Sequence, residues 1–288
     1  MGCLGSAAVF FFNLFLVLCT LPAYIVAKCC CCCGSARDGS CRQKCVFVLT
    51  SVAWRCVFAC SCWIRRDIDG LKEFRAEMKA SKTGAVLIAN HLCFLDTIIL
   101  VALMPLAKIA RVKMFVSSHL VKIPFLRTIV TSMGHLVVPF KSAAAGKFEV
   151  DKDLMAQRQA VLEAHVKEGG IAGWYPEGTM NSGEKPLEVA QFRAGGFSLA
   201  VNVDVPIWCV AFVGNDRCWP KSAAVGGRPS RISMKMFKLC DHSRDLAAKG
   251  GSSPRDQQVY LANFAHQKIQ EAVHEQSAKG GLRQSLLP

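Results

Sequence analysis

The stretch "GAVLIANHLCFLDTIIL", residues 84–100, decides the fold. An aliphatic run, 85–89, is followed at once by the polar pair Asn90 and His91, and Asp96 comes five residues after the histidine, just before hydrophobicity resumes. A short apolar run bounded by polar residues reads as a buried strand, and the longer apolar stretch from Leu95 reads as a helix. This strand-to-helix junction sets His91 at the strand's carboxyl end, the edge where open α/β sheets keep their ligand crevice. Asp96 falls in the first turn of the helix, and a loop turning back on itself brings its carboxylate within reach of the imidazole. A carboxylate on one ring nitrogen fixes the tautomer and leaves the other nitrogen to accept a proton, so the pair reads as a general base aimed at a hydroxyl. A helix cap at Asp96 beside an ordinary loop histidine explains the same spacing.

Outward from this junction the pattern repeats. Strands are expected at 85–89, 112–117, 135–140, 171–175, 207–212 and 232–237, with helices at 95–103, 120–133, 152–167 and 192–201 and a last one near 254–276. Such alternation predicts an α/β domain over 84–276, a mostly parallel sheet flanked by helices. Residues 65–83 read as a charged connecting helix and loop, and 277–288 as a frayed tail. A chain of 288 residues holds one large domain and an appendage.

The appendage is the amino end. The chain is 52% hydrophobic, its mean hydropathy is +0.28, and residues 7–27 carry no charge. At about 1.5 Å per residue, about 20 such residues cross a hydrocarbon core of about 30 Å. A cleaved signal peptide competes, but no basic segment precedes the apolar run and the run is long for that role. A second apolar stretch, 45–64, has Arg55 at its middle. Placing that charge at the bilayer centre costs roughly 2.5–3.5 kcal/mol, so the stretch either pairs with the first as a hairpin or lies shallowly in one leaflet. Residues 1–64 are thus expected to be a membrane-embedded helical pair, making this an integral membrane protein. The net charge of +14 raises the question of nucleic acid, but the basic residues are scattered and form no recognisable nucleic-acid motif. Anionic lipid heads, or small acidic or phosphorylated substrates, are the better partners.

Sixteen cysteines crowd toward the amino end, with five in a row at 29–33. A metal site drawn from Cys29, Cys32, Cys41 and Cys45 is disfavoured, because no histidine joins it and five consecutive cysteines satisfy almost any spacing. Disulfides require an oxidising compartment. S-acylation of Cys29, Cys30, Cys31, Cys32 and Cys33 beside an apolar helix is the preferred reading, and "MGCLGS" adds a myristoylation pattern at Gly2 with Cys3 as a second acyl site.

Directly after the 171–175 strand, Glu177, Gly178 and Thr179 form a turn offering a carboxylate, a hydroxyl and backbone N–H groups to something polar. An ordinary polar strand-to-loop turn has the same composition. Arg193 then precedes a Gly-Gly helix start suited to anions.

In order, "NHLCFLD" at 90–96, "KIPFLRTIVTSMGHLVV" at 122–138, "YPEGT" at 175–179 with "FRAGG" at 192–196, and "VPIWCV" at 205–210 resemble the glycerolipid acyltransferase family that includes 1-acylglycerol-3-phosphate acyltransferases. The likeness covers roughly residues 84–215, together with the amino-terminal apolar pair. It implies transfer of a fatty acyl group from acyl-CoA to the sn-2 hydroxyl of 1-acylglycerol-3-phosphate, giving phosphatidic acid in phospholipid biosynthesis. Acyl-CoA is the co-substrate and no cofactor or metal is implied; in a eukaryote the expected location is the endoplasmic reticulum. His91 would be the base and Asp96 its orienter, with Asn90, Glu177, Gly178 and Thr179 holding the acceptor. The family's arginine after E-G-T is Met180 here, the arginine ending the second block falls near Phe140, and Cys209 replaces the second proline of the fourth block. Two guanidiniums are therefore missing from the usual places, and Lys141, Lys185 and Arg193 are left to bind the acceptor's phosphate. Another lysophospholipid acceptor, a CoA-independent transacylase, and a non-catalytic lipid-binding protein are the alternatives.

Overall fold

A computed structural model describes residues 3–29, 39–118, 120–142, 149–181 and 184–279; Cys3, Phe140, Lys141, Ser142 and Glu149 are described in backbone only. Gly2 and Cys30–Cys33, expected to carry lipid, lie outside the described residues. The chain opens with two helices, α1 (Cys3–Lys28) and α2 (Cys41–Cys60), followed by β1 (Ile64–Asp69), α3 (Leu71–Ala80), β2 (Ala85–Ala89), α4 (Leu95–Leu103), α5 (Leu106–Ile109) and β3 (Val112–Val116). Then come α6 (Pro124–Ser132), β4 (Leu136–Val137), a small antiparallel ladder of β5 (Phe140–Ser142) and β6 (Glu149–Val150), α7 (Lys152–Lys167) and β7 (Ile171–Trp174). The chain continues with α8 (Ser198–Asn202), β8 (Ile207–Val213), α9 (Asn215–Cys218), β9 (Ser230–Cys240), α10 (Ser243–Ala248) and α11 (Pro254–Lys279).

Seven strands form one sheet in the order β1-β9-β8-β2-β7-β3-β4, parallel at every pairing except β8 with β9. The central strands are apolar throughout because both faces are covered. Alternation still sorts them: Leu87, Trp208, Val210 and Phe212 face the core shared with α2 and α4, while Val86, Ile88, Ile207 and Cys209 face the core shared with α7 and α11. Since β8, β2 and β7 are neighbours running the same way, the loops after residues 213, 89 and 174 emerge side by side at one edge.

The structure corrects four expectations. Residues 65–83 are not only helix and loop, because β1 pairs in parallel with β9 from Ile64 to Asp69. Its charges hid it: as an edge strand it carries Arg65, Asp67 and Asp69 outward, and Asp67 pairs with Arg231 at 2.7 Å. Ile64 consequently belongs to the sheet and not to the apolar amino end. The helix expected over 120–133 begins at Pro124, which presets the backbone of a first turn, and the helix expected over 192–201 is a 3-10 turn (Ala194–Phe197) leading into α8. The last helix runs on to Lys279, whose ammonium binds Asp69 and Glu275, both at 2.8 Å.

The two amino-terminal helices differ in kind. α2 packs on α4, where the Ser51 hydroxyl donates to the Val101 carbonyl at 2.9 Å and the Arg55 guanidinium to the carbonyl of Met104, which caps α4. Arg55 thus finds its partner in the protein. α1 leaves Phe10, Phe11, Val17, Leu18 and Ile25 exposed along its length and turns Phe12 inward onto Trp219.

Candidate active site

The site is assembled where β2, β7 and β8 end. Asn90 is buried at 1% exposure, its Nδ2 donating to the Phe212 carbonyl at 3.0 Å and its Oδ1 accepting from the Phe212 N–H at 2.7 Å. Both polar groups are bonded to β8, so Asn90 fixes the loop's origin.

His91 follows, held by its backbone from both sides. Its N–H donates to Glu177 Oε1 at 2.6 Å and its carbonyl accepts from the Asn181 N–H at 2.7 Å. The ring lies flat on Tyr175, with centroids 4.0 Å apart and planes 10° from parallel, and the Tyr175 hydroxyl meets that of Thr97 at 2.9 Å. Nδ1 of His91 is 2.9 Å from Asp96 Oδ2.

The Asp96 side chain is fully buried. Oδ2 also accepts from the N–H groups of Leu92 at 2.6 Å and Cys93 at 2.9 Å, and Oδ1 accepts from Asn215 Nδ2 at 2.7 Å and faces the Cys93 thiol at 3.5 Å. Every neighbour is a donor, so the group acts purely as an acceptor, and Nδ1 of His91 carries the hydrogen between them. The Nε2 lone pair is left over, without a partner among the described residues, on a side chain 17% exposed. That is the geometry of a base. Burial pushes the Cys93 thiol and the Tyr175 phenol up from their ordinary values, so neither competes as a nucleophile near neutral pH.

Glu177 is likewise bonded to backbone. Its other oxygen accepts from the Ala190 N–H at 2.9 Å, and at 4% exposure the carboxylate ties the His91 loop to the 184–193 segment. Burial, reinforced by the charge of Asp96, raises its pKa above the ordinary 4.5, against the pull of its two backbone bonds. A raised value means the folded protein holds this proton more tightly than the unfolded chain does. Its contribution to stability is full below about pH 4.5 and is lost as pH rises through the folded value. Glu177→Gln is therefore expected to lower the melting temperature, because an amide cannot accept with both ends. It should also flatten the loss of stability as pH rises above about 4.5 relative to wild type, as read by thermal unfolding.

Gly178 has φ +72, and a Cβ there would come within 2.7 Å of Arg193 Nε, so the turn needs a glycine for both reasons. Thr179 and Arg193 are exposed. Lys185 is exposed and paired with Glu188 at 3.1 Å. Three neighbours escaped the sequence reading: Tyr175 under the imidazole, Asn215 on Asp96, and Lys221, whose ammonium binds the Met180 carbonyl at 2.9 Å. Asn215 had one signal, its place right after Gly214 at the carboxyl end of β8, where Gly214 has φ +87. Among the described residues no group of three or more His, Cys, Asp or Glu is arranged to hold a metal ion.

Comparison with known proteins agrees with this architecture. The family model described as Acyltransferase matches residues 68–213. The 1-acyl-sn-glycerophosphate (LPA) acyltransferase PlsC from Thermotoga maritima, solved by crystallography, superposes with a TM-score of 0.64 at 15% identity, over 93% of this chain and 95% of that one. At that identity the likeness concerns the fold. No curated protein matches the sequence.

Proposed function

Because this chain belongs to the acyltransferase family, we propose that it transfers a fatty acyl group from acyl-CoA to the sn-2 hydroxyl of a 1-acylglycerol-3-phosphate, yielding phosphatidic acid. The observation that carries the reading is the Asp96–His91 pair with its unpartnered Nε2. The acceptor hydroxyl gives its proton to Nε2 as its oxygen attacks the thioester carbonyl, while Asp96 stabilises the imidazolium that forms. The new C–O bond replaces the C–S bond, and the proton passes from His91 to the departing thiolate, so no acyl-enzyme is required. Tyr175 keeps the ring in plane, and Asn215 and the two loop N–H groups keep the carboxylate in place.

Arg193 and Lys221, on either side of the 177–180 turn, are the cations positioned to meet the acceptor's phosphate, with Thr179 beside them. Lys185 is drawn toward Glu188 and contributes less. Met180 in place of a guanidinium favours a second reading, a lysophospholipid whose phosphate is a diester and asks for less bidentate pairing. A panel of lysophospholipid acceptors with one labelled acyl-CoA tests both, with the lysophosphatidate as the expected best acceptor. Met180→Arg should raise its kcat/KM relative to diester acceptors by roughly tenfold, the scale of one added charge-assisted hydrogen bond. Unchanged ratios would remove position 180 from acceptor choice, and product formation without acyl-CoA would convert the reading to a transacylase.

The exposed apolar side of α1 is proposed to enter a lipid surface. With α2 packed on the domain and Arg55 bonded to Met104, α1 offers the larger apolar surface to lipid, which favours shallow insertion in one leaflet over two spans.

A further inference from the structure

After α9 the chain makes a loop, residues 219–227, whose two ends meet: the Gly227 and Arg228 N–H groups both donate to the Cys218 carbonyl, at 3.0 and 3.1 Å. Inside it, Trp219 Nε1 donates to the Ala223 carbonyl at 3.2 Å, and the indole lies so close to Gly226 that a Cβ there would come within 2.3 Å of it. The loop is also fastened to α1. Asn13 Nδ2 donates to the Gly226 carbonyl at 2.9 Å, Phe12 meets the Trp219 ring edge to face, and a Cβ at Gly227 would lie 2.2 Å from Phe12 Cβ. Trp63 Nε1 holds the Gly227 carbonyl at 2.9 Å as well. Held this tightly, the loop still leaves Val225 48% exposed.

That exposure continues two others. On α1, Asn13 shares a face with Phe10, one turn before it, and Val17, one turn after, and these are 63% and 54% exposed. The Gly226 carbonyl that Asn13 binds therefore sets Val225 beside the exposed apolar side of α1. Trp219 also meets Phe94 of the His91 loop, with ring centroids 5.9 Å apart, and Phe94 is 40% exposed. Apolar side chains thus run from α1 across the loop to the segment that carries His91. The charges around them have one sign: Arg217, Lys221 and Arg228 are basic, and residues 217–230 contain no acidic residue. An exposed valine among basic side chains suits a phospholipid surface, whose acyl region takes the valine and whose phosphates meet the cations. The neighbouring α1 is long and apolar enough to cross a membrane, which argues for lipid over a protein partner.

We propose that the 219–227 loop is a second membrane contact, which dips Val225 into the leaflet that α1 enters and holds the His91 loop, through Phe94, against the lipid surface. An acceptor then passes from the bilayer to His91 without crossing bulk water. The proposal rests on the lipid contact of α1 and on the acyl transfer argued above. It adds the orientation of the domain: two contacts, one along the helix and one beside the His91 loop, fix which edge of the sheet faces the membrane.

The test is flotation of the full-length protein with phosphatidylcholine vesicles, whose lack of net charge isolates the apolar contact. Val225→Gln should weaken binding about fivefold, the scale set by the apolar area of a half-exposed valine, and Val225→Trp should strengthen it. Val161→Gln, at a valine of α7 that is also 48% exposed, should leave it unchanged. Acyl transfer gives the second readout. Val225→Gln should lose about fivefold in kcat/KM toward an acceptor carried in vesicles, and stay within about twofold of wild type toward a short-chain lysophosphatidate dissolved as monomer. Unchanged binding in Val225→Gln, an equal loss in Val161→Gln, or an equal fall toward both acceptors overturns the loop contact. Should Val225→Gln melt well below wild type, Val225→Trp decides, and its failure to strengthen binding overturns the contact. Wild type that binds no vesicle defeats the lipid contact of α1 and this proposal together. Wild type that binds vesicles but acylates neither acceptor defeats the proposed reaction, and flotation of the variants then decides the loop contact by itself.

Discussion

His91→Ala is expected to lower kcat/KM for acyl transfer by about 10²–10⁴-fold, the range in which a positioned general base contributes. The imidazole is the group left with an unpartnered nitrogen among the described residues: Asp96 is buried among donors and both Glu177 oxygens are bonded to backbone N–H groups. The fold should survive the change. The bonds that seat position 91 are made by its own N–H and carbonyl, to Glu177 and Asn181, and alanine keeps both. What is lost is the ring stacked on Tyr175 and one hydrogen bond to Asp96. Turnover measured on folded, vesicle-bound protein separates chemistry from attachment. A variant turning over within a few-fold of wild type would end the mechanism.

Asp96→Asn should cost on the order of 10³–10⁴ in kcat and also lower the melting temperature. The carboxylate receives three hydrogens at Oδ2 and, at Oδ1, one from Asn215 and one from the Cys93 thiol. An asparagine must aim its NH₂ at one of these groups of donors. If the amide turns its nitrogen toward Oδ2's place, two backbone N–H groups lose their acceptor and the imidazole is driven to the other tautomer, with Nε2 protonated and unable to act as base. If it turns the nitrogen toward Asn215, the tautomer holds but the negative charge that stabilises the imidazolium is gone. Both orientations slow the reaction, and both leave a buried donor unsatisfied at roughly 1–3 kcal/mol. Activity within tenfold of wild type would reduce Asp96 to a structural cap.

The sheet was legible wherever strands were buried on both faces, since β2 and β8 are short aliphatic runs between polar turns. β1 was not, because an edge strand of Arg and Asp has the composition of a surface loop and is identified by its partner β9, over 160 residues away. The contact between His91 and Asp96 could be read because both residues sit on one junction. Asn90 and Glu177 were found but assigned to the acceptor, because sequence shows that a polar side chain is present and not which way it turns, and both turn toward backbone. Asn215 lies 119 residues from the carboxylate it serves, a separation that only the fold closes.

The peptide of His91 is gripped by Glu177 and Asn181, and the segment that carries them is itself laced to α11, where Gln270 binds the backbone of Leu187 and Val189 and His266 meets the Val189 carbonyl. The stretch proposed to meet the acceptor is thus also the bracket on which His91 is mounted. Under the proposed function, acceptor preference and alignment of the base would be inherited as one part. Transplanting residues 175–193 from a relative would carry the histidine's fastenings with it, so diversification of substrate should proceed through the outward positions Thr179, Met180, Arg193 and Lys221, which can vary without loosening the mount.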